Sequence, residues 1–153
     1  MQDLYIEIPN PDNPTQFKYE NKWEQAEVRK EKIKVKGEKT IDYKVVVTRH
    51  GPIISDLAFK KEKPTAVFSM QWTALQSTQE LQAILNLDKA KNWHEFETAL
   101  TDFKAPAQNF VFASTDGTIA YKANGLIPIR KRGDGQFPVP GYSADYGWKG
   151  YID

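Results

Sequence analysis

Apolar and polar residues alternate from Leu4 to Ile8, the two-residue period of a half-buried β-strand. The run PNPDNP then breaks that strand with three prolines. Phe17 and Tyr19 lead into Glu20-Asn21-Lys22-Trp23, a predicted turn between short strands. Farther on, Glu31, Ile33 and Val35 alternate with Lys32, Lys34 and Lys36, which predicts a strand over 27–36 with one lysine-lined face. Gly37-Glu38 opens a hairpin connection, and the β-branched stretch from Thr40 to Thr48 is its return strand. His50-Gly51-Pro52 punctuates the chain, Ile53-Ile54 restarts a short strand, and Thr65 to Trp72 is a buried one.

The period then becomes helical. Ser77-Thr78-Gln79-Glu80 fits a capping box, followed by Leu81, Ile84 and Leu85 at helical spacing. Asn92-Trp93-His94-Glu95 predicts a second cap, after which Trp93, Phe96, Leu100 and Phe103 share one helix face until Pro106. Asn109–Ser114 and Thr118–Lys122 flank Asp116-Gly117, a pair suited to a type I′ hairpin turn. The remainder is rich in turn residues (Gly133, Gly135, Pro138, Pro140, Gly141, Gly150), and no internal repeat or low-complexity linker interrupts it. Strands, a helical pair and a further hairpin predict an α+β fold of antiparallel hairpins, and 153 residues predict a single domain, 1–153.

Composition narrows the function classes. A chain with 40% hydrophobic and 27% charged residues has the balance of a globular domain. Its net charge of +1 supplies no field for nucleic acid or an anionic membrane, so neither is an expected partner. The absence of cysteine excludes disulfides, thiolate catalysis and thiolate metal sites. No apolar run reaches the length of a membrane span, and no signal peptide is visible. Met1 directly precedes a strand, a start expected of a segment cut from a longer chain.

No residue stands out as able to do chemistry unaided. His50 and His94 lie 44 positions apart without a metal-binding spacing and are expected to be structural. No GxSxG is present, and Met1-Gln2-Asp3 supplies no amino-terminal nucleophile. Glu95, Glu97, Asp102, Asp134 and Asp145 are expected as solvated surface. Lys30, Lys32, Lys34 and Lys36 are interleaved with acids and suit an exposed strand guarded against edge pairing. Arg130-Lys131-Arg132 is expected in a loop whose arginines pair with local carboxylates, and the following Gly133-Asp134-Gly135 is too short for a phosphate loop. The four tryptophans are expected in packing.

Five stretches together resemble the penicillin acylase family, which includes the acyl-homoserine lactone acylases. They are Thr48-Arg49-His50-Gly51-Pro52-Ile53; the hairpin of Asn109 to Ala113 and Asp116 to Tyr121; Pro128-Ile129-Arg130; Pro138-Val139-Pro140-Gly141; and Trp148-Lys149-Gly150-Tyr151. Asp3-Leu4-Tyr5-Ile6-Glu7 is similar to the strand after that family's acidic calcium-binding stretch. The resemblance implies an amide hydrolase with an N-terminal nucleophile and an αββα sandwich fold. Its precursor cleaves itself to expose a serine whose own α-amine serves as base, and backbone and asparagine donors form the oxyanion hole.

By the same resemblance the catalytic serine lies upstream of Met1 and the oxyanion asparagine beyond Asp153, so Asn109 is not that asparagine. The chain is then an interior piece of a β subunit, inactive alone, whose partners are the α subunit and the remaining β subunit of the same precursor. The implied substrate is a small-molecule acyl-amide. Penicillin G, penicillin V, glutaryl-cephalosporin and homoserine lactone types are not distinguished. An extracellular or periplasmic location and a role in antibiotic metabolism are also implied.

Several positions carry over. Asp3 matches a calcium-ligating carboxylate, Gln2 a carbonyl ligand and Gly135 a backbone ligand, although the site's other carboxylates lie outside this chain and low affinity is expected. Ile84 and Gln108 fall near positions lining the acyl pocket, Gln108 standing where an apolar residue is found in penicillin G acylases. The competing expectation is a stand-alone, non-catalytic β-rich binding domain related to acylases.

Overall fold

The structure is a computed structural model that describes residues 1–55 and 65–152. It contains antiparallel hairpins and a helical pair, the predicted α+β content. The chain divides into two compact units: Gln2–Gln71 with Arg130–Trp148, and Met1 and Trp72–Ile129 with Lys149–Asp153.

The first of these units is β-rich. β1 (Gln2–Glu7) lies between β12 (Val139–Pro140), which runs parallel to it, and β8 (Val67–Trp72). Asp3, Tyr5 and Glu7 are its buried positions, whereas the apolar Leu4 and Ile6 are only half-buried. β2 (Pro9–Asn10), β3 (Asn13–Tyr19) and β4 (Lys22–Gln25) form an antiparallel meander, turning at Glu20-Asn21 as the sequence predicts. β5 (Glu27–Ile33) and β6 (Ile41–Thr48) form a long ribbon that β7 (Gly51–Pro52) extends. β5 is exposed throughout, as expected for the lysine-bearing strand, and ends at Ile33, short of Lys36. The ribbon is anchored where Val46 and Ile53 pack on buried Phe17, Ala26 and Val67.

The second unit is built on aromatic packing. α1 (Glu80–Leu87) and α2 (Trp93–Leu100) precede the hairpin of β9 (Gln108–Ala113) and β10 (Ile119–Asn124). Phe96 lies against Trp93, Phe110 and Phe112 at ring-centroid distances of 6.0, 6.3 and 5.2 Å, and Phe103 meets Phe110 edge-on at 5.2 Å. Leu100, the last residue of α2, is fully buried. A further pair, β11 (Ile127–Arg130) and β13 (Trp148–Ile152), closes the strand list.

Two local expectations are corrected, and one helical stripe lies exposed. The helix after Ser77 is not capped by it: α1 starts at Glu80 without a side-chain cap, and the Glu80 carboxylate instead accepts from the amides of Lys104 (3.2 Å) and Ala105 (2.9 Å). A tertiary partner thus outcompetes the local box. The stripe Leu81, Ile84 and Leu85 is exposed, and Ala83 is the residue that α1 buries. The Asp116-Gly117 turn is not type I′, since only Gly117 has positive φ (+91°); the Gly117 amide bonds Ser114, which makes a wider turn closed by a left-handed glycine. The second cap forms as predicted, with Asn92 Oδ1 accepting from the Glu95 amide at 3.0 Å and Glu95 accepting in return from the Lys91 amide at 2.9 Å.

The two caps make a direct test. Asn92→Ala should destabilise the chain by about 1 kcal/mol, whereas Ser77→Ala should leave the denaturation midpoint unchanged. Equal effects in urea unfolding would contradict this assignment.

Candidate functional site

The period of β1 places Asp3, Tyr5 and Glu7 on one face, and burial puts all three against the interior of their unit. A buried carboxylate is tolerated only when paired and hydrogen-bonded, and both carboxylates meet that condition through residues distant in sequence.

Glu7 is the more enclosed, 2% exposed. Its Oε1 accepts from Ser69 Oγ (2.7 Å) and Thr48 Oγ1 (2.9 Å), and His50 Nδ1 lies 3.0 Å away. A carboxylate oxygen only accepts, so Nδ1 carries the proton in this contact. The imidazole stacks on Tyr5, with ring centroids 4.0 Å apart and planes 8° from parallel. On the other carboxylate oxygen there is no room for a side chain: a Cβ on Gly141 would stand 2.7 Å from Oε2. Burial by itself pushes the Glu7 carboxyl up. The bonds from His50 and Ser69, the charge of His50 and the bond from Thr48 together outweigh it and hold the group below its ordinary value.

Asp3 is clasped by a fork. Arg130 Nε donates to Oδ2 and Nη2 to Oδ1, both at 2.7 Å, and Trp148 Nε1 adds a third bond to Oδ2 at 2.7 Å. Here too burial raises the carboxyl, and the bonds from Arg130 and Trp148 bring the net value below the ordinary one. Gly135, at φ +81°, passes so close that a Cβ would fall 2.5 Å from Arg130 Nη2 and 2.7 Å from Asp3 Oδ1. The Tyr5 phenol, between the two carboxylates along the strand, is pushed well up by burial and then by the charge of Asp3.

Chemically these are acceptors holding donors, not an acid–base relay. Ser69 and His50 both point at Glu7, and Ser69 is fully buried, so the Ser–His–carboxylate trio has no nucleophile–base contact. Asn109 accepts from the Tyr121 hydroxyl across the hairpin at 2.7 Å, a bond that joins β9 to β10. The arginine expected to pair with local carboxylates does pair, but with a partner 127 residues away. Among the described residues no group of three or more His, Cys, Asp or Glu side chains is placed to hold a metal ion.

Of the positions carried over, Asp3 and Gly135 are brought together, and Gln2 is the exposed first residue of the same strand. The donor set is a poor match for calcium, because three of the roughly four lone-pair positions of Asp3 already accept N–H bonds and its charge is neutralised by Arg130. Ile84 is exposed on α1 and Gln108 is exposed at the start of β9, both in the aromatic unit. The Glu7 cluster is what reading the sequence missed. The signal was present in β1, where the residues in phase with Tyr5 are both carboxylates.

Comparison with known proteins puts this geometry in context. The sequence profile of the penicillin amidase family matches residues 1–153. The acyl-homoserine lactone acylase QuiP of Pseudomonas fluorescens is 31% identical over 153 residues, covering 99% of this chain and 19% of the relative. The penicillin acylase 2 proenzyme of Pseudomonas sp. (strain SE83) is 26% identical over 152 residues, with 99% and 19% covered. The thermostable penicillin G acylase of Alcaligenes faecalis superposes with a TM-score of 0.83 at 28% identity, covering 99% of this chain and 27% of that one. The chain therefore spans about a fifth of the length of these curated relatives.

Both carboxyls have folded values below their ordinary 3.8 and 4.5, so their stabilisation is complete above that range and is lost as pH falls through the folded values. Denaturation midpoints should drop steeply on the acid side and stay level just above it. Glu7→Ala should cost roughly 3–5 kcal/mol at neutral pH, and Glu7→Gln should flatten the acid limb. An unchanged acid limb in Glu7→Gln would remove Glu7 from this role.

Proposed function

The chain belongs to the penicillin amidase family, and we propose that it is the scaffold segment of a longer amide hydrolase whose reacting groups are supplied by other parts of the same precursor. The family match over residues 1–153 carries this reading. The relatives are named acylases, and its α+β fold is that of the matching segment of penicillin G acylase. In the proposed enzyme an N-terminal serine, exposed by maturation of the precursor, attacks a linear acyl-amide. The chain contributes no catalytic side chain. One relative is a proenzyme by name, which supports the maturation step.

The buried clusters fit this division of labour. Glu7 and Asp3 hold strands together and leave no free nucleophile or base. Ile84 and Gln108, exposed in this chain, are proposed to line the acyl pocket once the rest of the enzyme is present. The α subunit and the remaining β subunit are the proposed partners, and a periplasmic or extracellular location accompanies them. No helix among the described residues is long and apolar enough to cross a membrane.

Two measurements test the reading. The purified chain should not hydrolyse a chromogenic phenylacetamide, and the natural polypeptide that carries it should do so after maturation, with serine at the new amino terminus. Turnover by the chain that survives repurification would overturn the scaffold reading, and a natural polypeptide lacking that serine would favour the stand-alone binding domain instead. In the mature enzyme, Gln108→Leu should shift kcat/KM between polar and apolar acyl groups by about 10–200-fold, the range for a single pocket contact. Unchanged preference would place Gln108 outside the pocket.

A further inference from the structure

We propose that the Arg130 guanidinium is the permanent counter-cation of Asp3, so that this corner of the protein is held without a metal ion. The inference stands on this chain's own geometry and does not depend on the hydrolase reading.

The first argument is charge. Calcium binds where several oxygen ligands, carboxylates among them, converge. Here one carboxylate meets one guanidinium through two parallel bonds of 2.7 Å, the fork geometry in which arginine matches a carboxylate best. The pair is neutral, so Asp3 brings no net charge of its own to a dication. The Asp134 carboxylate is engaged within the loop, its Oδ1 accepting from the Gln136 amide at 3.0 Å, and its charge acts on Arg130 rather than adding a ligand to Asp3.

The second argument is space and access. Trp148 Nε1 takes a further position on Oδ2, and the indole and guanidinium together cover Asp3, which is 6% exposed. Gly135 closes the approach from the loop, near enough that a methyl group would collide with both partners. The space bounded by Asp3, Tyr5, Arg130, Arg132, Gly135, Phe137, Val139 and Gly147 does not admit a water molecule, whereas calcium brings about 6–8 oxygens.

The third argument is what the pair achieves. Arg130 ends β11, Trp148 begins β13 and Asp3 belongs to β1. Their three bonds join segments 127 and 145 residues apart, the task a structural cation performs elsewhere. Lysine would replace the fork with a single point charge and lose one of the two bonds.

Terbium is the probe, because it takes oxygen sites as calcium does and emits when an adjacent indole is excited. Trp148 lies in contact with Asp3, so any lanthanide on that carboxylate is sensitised. The experiment uses the natural polypeptide carrying this chain, with Trp148→Phe and Asp3→Asn variants for comparison. The expected result is terbium emission identical in wild type and Trp148→Phe, and no shift of the wild-type melting midpoint at this site between chelator and millimolar calcium. Arg130→Gln should lower the midpoint by roughly ten degrees or more, with partial recovery in Arg130→Lys. Emission that saturates in wild type and is lost in both Trp148→Phe and Asp3→Asn would overturn the proposal. If Asp3→Asn does not fold, the conservative Trp148→Phe variant decides. Calcium-displaceable emission lost in Trp148→Phe overturns the proposal, and emission equal to wild type sustains it.

Discussion

Glu7 Oε1 gathers bonds from Ser69, Thr48 and His50, and this one convergence ties β1 to the end of β6, to the turn after it and to β8. A lone carboxylate in that place would impose a large desolvation penalty. Each donor is therefore required by the acceptor, and the strands that carry the donors are held in register by it. Tyr5 stacks on His50 and fixes the ring plane, while the absence of a side chain at Gly141 lets β12 run close beside Glu7.

The family signature acquires a physical meaning from this arrangement. Thr48 and His50 of the first motif serve Glu7. Arg130 of Pro128-Ile129-Arg130 and Trp148 of the closing motif serve Asp3. Gly141 of Pro138-Val139-Pro140-Gly141 leaves room for the Glu7 carboxylate and bonds the Ile6 carbonyl at 2.9 Å. Residues scattered over the sequence are thus explained by two acceptors on one strand face. None of these pairings places a proton where a substrate could receive it. The motifs mark the construction of the scaffold.

The aromatic unit follows a different rule. Phe110 and Phe112 point to one face of the β9–β10 hairpin and meet the aromatics of α2 and Phe103. Val111, Ile119 and Tyr121 lie on the other face and are 72%, 82% and 62% exposed, so the strands are apolar on both sides. Asn124 adds polar stitching through the carbonyls of Leu100 (3.0 Å) and Phe103 (2.6 Å), which fasten the end of β10 to the last turn of α2 and the residues just after it.

Local chemistry was legible in the sequence wherever neighbours in the chain decide it. The Asn92–Glu95 cap, the helix face of Trp93, Phe96 and Leu100, the exposed lysine strand and the succession of hairpins are of this kind. The resemblance motifs identified the family before any geometry was known. The sequence could not decide which face of β1 is buried. Alternation marks Leu4, Ile6 and Ile8 as apolar, but the structure buries Asp3, Tyr5 and Glu7, because partners 41 to 145 residues away neutralise or hydrogen-bond the two carboxylates. The same reason displaced Glu80 from its expected box, since the amides of Lys104 and Ala105 lie within its reach only in the folded chain. Period and propensity act over a few residues. The burial of a charge depends on which distant donors the fold delivers, and only the tertiary structure decides that.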